Sequence, residues 1–300
     1  MKSVLMIFID GVGIGKKDYI NNPFFKYDFK IFKELFGEIP HLEKRYLEGK
    51  NSFVFPIDAL MGVPDIPLSG TGQTSIFCGV NAPKIIGKHF GPYPYSTLVP
   101  IIKEKNIFIE LKRKRKKVAF VNAYPKQFFD YVKKGRRMLS VTTLSCLLSG
   151  VKLNKINDLH KGRALSADID NYRFVHKMNY KLKVISPELA ARRLVRIASR
   201  NHFTLFEYFH TDHLGHGRNL DLFDRTVNTL DGFLHNLVKI LPDEMTLLIC
   251  SDHGNFEDLT VRTHTLNPAL GLAYGKYAER IAPRIKSLYD IKSSIMELYE

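Results

Sequence analysis

Four stretches of the sequence carry metal-binding or titratable side chains, three of them beside glycines. "VLMIFIDGVGIG" carries Asp10 after an apolar run, with Gly11 and Gly13 letting the backbone turn sharply. "TLFEYFHTDHLGHG" carries Asp212 and His216 four residues apart, a spacing that puts both on one face of a helical turn. "TLLICSDHGNFED" carries Asp252 and His253, which are adjacent and would point to opposite faces of a regular strand. They converge only if the strand has already ended in a turn. "VRTHTLNPAL" adds His264 in a loop before another short apolar run. Each alone reads blandly: an Asp-Gly turn, a surface hydrogen bond, a loop histidine. Together, three aspartates and three histidines at strand ends match the mixed oxygen and nitrogen ligands that zinc, manganese or iron accept.

A fifth stretch, "PLSGTGQTSIFCGVNAP", offers hydroxyls before a short helical run ending near Gly79. Ser69 or Thr71 could simply cap that helix. A hydroxyl at a helix N-terminus beside a cation is also a candidate nucleophile, because both would stabilise its alkoxide. The stretch is no phosphate-binding P-loop, since it lacks the Gly-Lys-Ser/Thr ending.

Ligands of open α/β sheets sit outside the carboxyl ends of the strands, so these residues need a sheet to bring them together. Short β-rich apolar runs alternate with helical patterns along the chain, which predicts an α/β fold with a mostly parallel central sheet flanked by helices on both faces. Expected strands are 4–9, 118–122, 204–209, 246–250 and 270–273. Expected helices cover 187–199, 220–241 and the last stretch, 284–300. The irregular segment 84–182 reads as a small cap or elaboration within a single domain, 1–300.

The 300 residues, 45% of them hydrophobic, suffice for a sizeable core. The apolar runs are strand-sized, well short of the roughly 20 residues a membrane helix needs. The run Val4 to Ile9 is too short for a signal-peptide core, so a cytoplasmic protein is expected. Cys78, Cys146 and Cys250 form no Cys-x-x-Cys pair and read as small core residues. A net charge of +15 favours an anionic partner. Two basic runs, "KRKRKK" at 112–117 and "KKGRR" at 133–137, contribute to it. His210 and His213 flank Asp212 and read as supporting hydrogen-bond partners or solvated loop residues, and "FGPYPYS" at 90–96 could line a pocket but reads more simply as a rigid surface turn.

"IDGVGIG", "DHLGHG", "SDHGNFE" and "HTLNP", in that order, resemble the alkaline phosphatase superfamily, and within it the cofactor-independent phosphoglycerate mutase and phosphopentomutase branch. The resemblance implies two divalent metal ions, zinc or manganese first, magnesium or iron as alternatives. One would be held by Asp212, His216 and His264, the other by Asp10, Asp252, His253 and the oxygen of the nucleophile. It places that nucleophile at Ser69, with Thr71 second, and sets Gln73 where the mutases carry a histidine. The mutases also carry a large inserted domain before the Asp-x-x-Gly-His motif, for which this chain has little room.

The expected activity is phosphoryl transfer from a phosphorylated small molecule, most simply hydrolysis of a phosphomonoester or diester. A phosphomutase is the alternative within that class. From another class comes a basic nucleic-acid-binding or anion-binding protein with a degenerate metal site, whose footprint would be the run 112–117. No membrane partner is expected, and the sequence does not set the oligomeric state.

Overall fold

The computed structural model describes residues 2–135 and 138–300, so the end of the basic run 133–137 lies outside the described residues. Strand β1 (Ser3–Ile9) is buried throughout. Val4, Met6 and Phe8 enter one apolar cluster, and Leu5, Ile7 and Ile9 enter another on the opposite face. A strand apolar on both faces belongs in the middle of a covered sheet.

Further strands are β2 (Leu47–Gly49), β3 (Ser52–Ile57), β4 (Val118–Phe120), β5 (Phe203–Tyr208), β6 (Met245–Cys250) and β7 (Ala269–Gly275). Their order across the sheet is β2-β3-β7-β6-β1-β5-β4. Strands β4, β5, β1 and β6 run parallel, with Val4 opposite Phe203 on one side and Thr246 on the other. Strand β7 is antiparallel to β6, β3 to β7, and β2 to β3. All five expected strands are present, with small shifts at their ends.

Strands β2 and β3 were not foreseen. Pro56 makes "SFVFPI" read as an interrupted strand. In the fold, the pairing of β3 with β2 ends at Val54, so Pro56 lies where β3 is itself an edge.

Helices Pro187–Ala198 and Phe223–Ile240 cover the Leu5/Ile7/Ile9 face. The first opens at Ser186, whose side chain accepts the Leu189 N–H. Residues 220–222 form a 3-10 turn, not the start of the expected α-helix. On the other face pack helices Ser69–Cys78, Val99–Lys105, Ile107–Arg113 and Val141–Leu148. The C-terminal helix is shorter than expected, starting at Asp290. The Asp290 carboxylate accepts the N–H groups of Lys286 (3.0 Å) and Ser287 (2.8 Å), and Ser287 bridges to Asp58, so the preceding chain is held in a turn.

Segment 84–182 thus gives the sheet a strand and several helices. It also carries a two-stranded ribbon, Ala123–Tyr124 with Asn154–Lys155, over a small cluster of Ala123, Leu159, Ala164 and Phe174. The run 112–117 ends helix Ile107–Arg113 and turns into β4. Lys112 donates to the Ser149 carbonyl at 2.6 Å, and Lys116 lies over the Tyr299 ring. That is the amino end of β4, away from the carboxyl ends where the ligand-type residues gather. The three cysteines are free and buried. No described helix is long and apolar enough to cross a membrane.

Candidate metal centre and nucleophile

Parallel strands β1, β5 and β6 deliver Asp10, the Asp212 segment and Asp252–His253 to one edge of the sheet. His264 arrives there because β7 is antiparallel: it begins where its parallel neighbours end, with Gly271 opposite Cys250. After β1 the chain turns at Gly11 (φ +72°), where a Cβ would lie 2.9 Å from the Asp212 side chain. Helix His210–Gly215 starts immediately after β5 and carries Asp212 in its first turn, with His216 at its C-terminal cap.

The six expected side chains converge. His216 Nε2 lies 3.3 Å from Asp212 Oδ1, and His264 Nε2 lies 3.4 Å from the same oxygen. His253 Nε2 lies 3.4 Å from Asp10 Oδ1 and 3.6 Å from Asp252 Oδ2. Two sets of donor atoms could each enclose an ion: Asp10, Asp252 and His253, and Asp212, His253 and His264. His253 therefore stands between the two clusters, and His216 adjoins the second, 3.2 Å from His264 Nε2.

The tautomers of the three histidines follow from their other nitrogens. His216 Nδ1 lies 2.7 Å from the Arg262 carbonyl, His264 Nδ1 2.6 Å from that of Pro67, and His253 Nδ1 3.3 Å from that of Gly254. A carbonyl only accepts, so each Nδ1 carries a proton and each Nε2 faces the centre, a donor to a carboxylate when the ring is protonated and a lone pair for a cation when it is neutral. Burial pushes the His253 imidazole down, which keeps that lone pair free at neutral pH.

The carboxylates also call for a cation. Asp10 Oδ1 and Asp252 Oδ2 are buried without a hydrogen-bond partner. Among the described residues, no lysine or arginine forms an ion pair with Asp10, Asp212 or Asp252. Burial, with the charges of Asp252, Asp212 and Glu207, raises the Asp10 carboxyl well above its usual range. Burial would also raise Asp212. Hydrogen bonds from His216 and His264, the nearby His253 ring and a bond from Asn255 instead hold it well below the usual range. Converging anions, orphaned oxygens and inward lone pairs are a fitting donor set for divalent cations.

Ser69 is the first residue of helix Ser69–Cys78, not its cap, which is Leu68. Its Oγ lies 3.0 Å from His253 Nε2. The loop 90–93 closes over this helix start: a Cβ on Gly70 would sit 2.2 Å from the Tyr93 carbonyl oxygen. Thr71, the second candidate, faces away. Its hydroxyl donates to the Leu68 carbonyl (3.0 Å) and accepts the Phe90 N–H (3.2 Å). Gln73 Nε2 reaches Asp10 Oδ2 at 3.4 Å.

A cavity of about 660 Å³ opens on this centre, and Asp10, Ser69, Gln73, Glu207 and Asp212 line it. Pro92 and Tyr93 line it too, so the surface bend at 90–96 also forms part of the cavity wall. His213 is also in the wall, whereas His210 is buried beneath with neither ring nitrogen hydrogen-bonded, contrary to both roles expected of it.

Two carboxylates were missed. Glu207 sits inside β5, where burial pushes its carboxyl up to about 7, while a hydrogen bond from Thr142 Oγ1 (2.8 Å) opposes the rise. The signal was an acid within the apolar run "TLFEYF". Glu257 is almost fully buried and accepts the N–H groups of Gly13 and Asn255, both at 2.8 Å. Its other oxygen accepts from the Thr265 hydroxyl and from Asn267 Nδ2 at 3.0 Å. It ties together three of the loops that carry the ligands. Asn255 in turn donates to Asp212 Oδ1 at 2.8 Å.

The chain is similar to several known proteins. Residues 165–300 match the family model of the Metalloenzyme superfamily. A phosphopentomutase of Mycoplasmopsis pulmonis is 23% identical over 148 residues, 49% of this chain and 35% of that protein, so the match spans about a third of that relative's length. A magnesium-bound mutant of the TAB5 alkaline phosphatase has a TM-score of 0.58 at 13% identity, over 99% of this chain and 97% of that one. TAB5 is an Antarctic bacterium. A cold-active alkaline phosphatase of Shewanella sp. has a TM-score of 0.52 at 12% identity, over 98% of this chain and 99% of that one. These likenesses show the fold of the alkaline phosphatases, and the superfamily match rests on residues 165–300.

Proposed function

We propose that this chain is a metal-dependent phosphohydrolase that passes the phosphoryl group through Ser69. The observation that carries this reading is the placement of Ser69 Oγ, 3.0 Å from His253 Nε2 and in the same cavity as Asp10 and Asp212. In this reading Asp212, His216 and His264 hold one divalent cation, and Asp10, Asp252 and His253 the other, next to Ser69. Zinc or manganese suits such donors, with magnesium or iron as alternatives. When bound, the two cations neutralise charge on the phosphoryl oxygens and favour the ionised hydroxyl.

The chain's own residues supply position and a preset field. Ser69 opens a helix, so the positive end of the helix dipole faces the anionic group. Ser69 gives its hydroxyl proton to water as the Oγ–P bond forms, the ester P–O bond breaks, and the leaving alkoxide takes a proton from water to depart as the alcohol. Water then attacks phosphorus, the Oγ–P bond breaks, and inorganic phosphate leaves as Ser69 regains a proton. Gln73, hydrogen-bonded to Asp10, steadies that carboxylate.

The similarity to a phosphopentomutase favours a second reading, in which the phosphoryl group returns to another hydroxyl of the same sugar. Hydrolysis is preferred because much of the interval between Ser69–Cys78 and Asp212 goes into β4 and helices packed on the sheet. We take 84–182 as an elaboration of one domain, with the stretch around 124–143 forming a wall of the cavity.

The test is to load the protein with zinc, manganese or magnesium and supply aryl phosphates and sugar phosphates. Inorganic phosphate, with an acid-trapped phosphoserine at Ser69, is the expected result. An isomeric sugar phosphate without phosphate release selects the mutase, and no turnover of either kind sinks both.

A further inference from the structure

The wall of the cavity beyond the ligand cluster has a chemistry that a phosphoryl group does not need. Phe128 and Tyr124 stack with centroids 4.1 Å apart and planes 23° from parallel. The Tyr124 hydroxyl is fixed at 2.8 Å from Thr143 Oγ1, and Phe129 braces Phe128 edge-on. Phe128, Tyr131, Met138, Leu139 and Phe209 all line the same cavity as Ser69. Gln127 and Arg218, both exposed, also line it.

Size and polarity together restrict what this space accepts. A cavity of about 660 Å³ exceeds the needs of a phosphate and lies within the range that encloses a whole small-molecule ligand. A sugar's hydroxyls could find partners at Ser140, Gln127 or Arg218 but none on Phe128 or Leu139, where each one desolvated costs about 1–3 kcal/mol. A flat aromatic group instead meets a ring already held flat by its own stack, with little ordering left to do.

We propose that this cavity selects phosphate esters whose alcohol carries a planar aromatic group, stacked against Phe128. The inference rests on the phosphohydrolase reading for its chemistry, and on the cavity wall alone for its selectivity. The aromatic group can belong to a nucleoside or to a simple aryl alcohol, which share the same flat, apolar face.

The test compares esters of similar leaving-group reactivity, so that preference reports binding and not intrinsic lability. Benzyl phosphate and a nucleoside 5'-monophosphate are set against ethyl phosphate and ribose 5-phosphate, with kcat/KM as the readout. Affinities of benzylphosphonate and ethylphosphonate are measured by calorimetry alongside. The aromatic members are expected to lead by about tenfold or more, and Phe128→Ala to reduce that ratio by about tenfold, as for loss of one stacking face. Phe128→Leu, which keeps apolar volume without the flat face, gives the same loss if Phe128→Ala fails to fold. Preference for the nucleotide over benzyl phosphate identifies a nucleobase, and the reverse a simple aryl group. Equal affinity of the two phosphonates, unchanged in Phe128→Leu, overturns the proposal even if phosphate is released. Absence of phosphate release with the benzylphosphonate preference intact overturns the hydrolase reading and leaves the selectivity of the wall standing.

Discussion

The imidazole rings of His253 and His264 stack face to face, their centroids 3.6 Å apart and their planes 15° from parallel. One comes from the end of β6 and the other from the loop before β7. Both donate Nδ1–H to a backbone carbonyl, which leaves His253 Nε2 facing Asp10 and Asp252 and His264 Nε2 facing Asp212. Without a cation, Asp10 Oδ1 and Asp252 Oδ2 stay buried with no hydrogen-bond partner. Divalent metal should therefore stabilise the fold: at a hundred times its dissociation constant, a bound ion adds about 2.7 kcal/mol. For a chain of 300 residues that corresponds to a melting temperature raised by roughly 4 °C. Thermal scans of chelator-treated protein, with and without zinc or manganese, measure it, and Asp252→Ala should blunt the response. A wild-type curve that ignores both metals rules out the ligand assignment.

Ser69 and Thr71 lie two residues apart on one helix and have opposite surroundings. Ser69 faces the cavity, while the Thr71 hydroxyl bonds to the Leu68 and Phe90 backbone. Ser69→Ala should lower kcat by about 10³-fold or more, as removal of a nucleophile does, with little change in melting temperature. Thr71→Ala should do the reverse, costing about 1 kcal/mol of stability for a lost buried hydrogen bond and sparing most of the turnover. Paired kinetics and denaturation curves separate the two. Equal turnover in Ser69→Ala and wild type would move the nucleophile elsewhere.

The candidate ligands Asp10, Asp212, Asp252 and His253 were legible in the sequence because each follows an apolar run at a turn, whereas His264 precedes one and reaches the same edge because β7 is antiparallel. What holds them was less visible. Glu257 reads as one more acid in "NFED", yet its partners Gly13, Thr265 and Asn267 come from two other loops, a convergence that no local pattern encodes. Strand β3 was hidden by Pro56, whose tolerance depends on how short β2 is. The C-terminal helix was overextended because 286–289 has helical periodicity, while the Asp290 carboxylate and the neighbouring Asp58 segment hold it in a turn.

Glu257 should matter for both stability and metal affinity. Glu257→Ala leaves the buried N–H groups of Gly13 and Asn255 without their acceptor, a loss of about 2–5 kcal/mol on the usual scale for such groups. Glu257→Gln keeps one oxygen and should cost less. Because the loops of Asp10, Asp252–His253 and His264 are tied through this side chain, metal affinity should fall about tenfold or more in the alanine variant. Urea denaturation and metal titration read the two effects. Unchanged stability in Glu257→Ala would show that the loops are held by other means.

Glu207 gives the metal-free protein a distinctive pH dependence. Its carboxyl, ordinarily near 4.5, is pushed up to about 7 by burial, so the fold prefers it protonated. A raised carboxyl contributes stability that is fully present below the unfolded value and lost as pH rises through the folded one. Over the interval of roughly 2.5 pH units this amounts to at most about 3 kcal/mol. Stripped of metal, the protein should therefore weaken between about pH 5 and pH 8. Glu207→Gln, which can still accept the Thr142 hydroxyl, should be more stable than wild type at pH 8 and should flatten the profile. Urea unfolding at pH 5 and pH 8 provides the comparison. If the variant and the wild type weaken in parallel, Glu207 is ionised in the folded protein and its burial is offset by a cation that survives chelation.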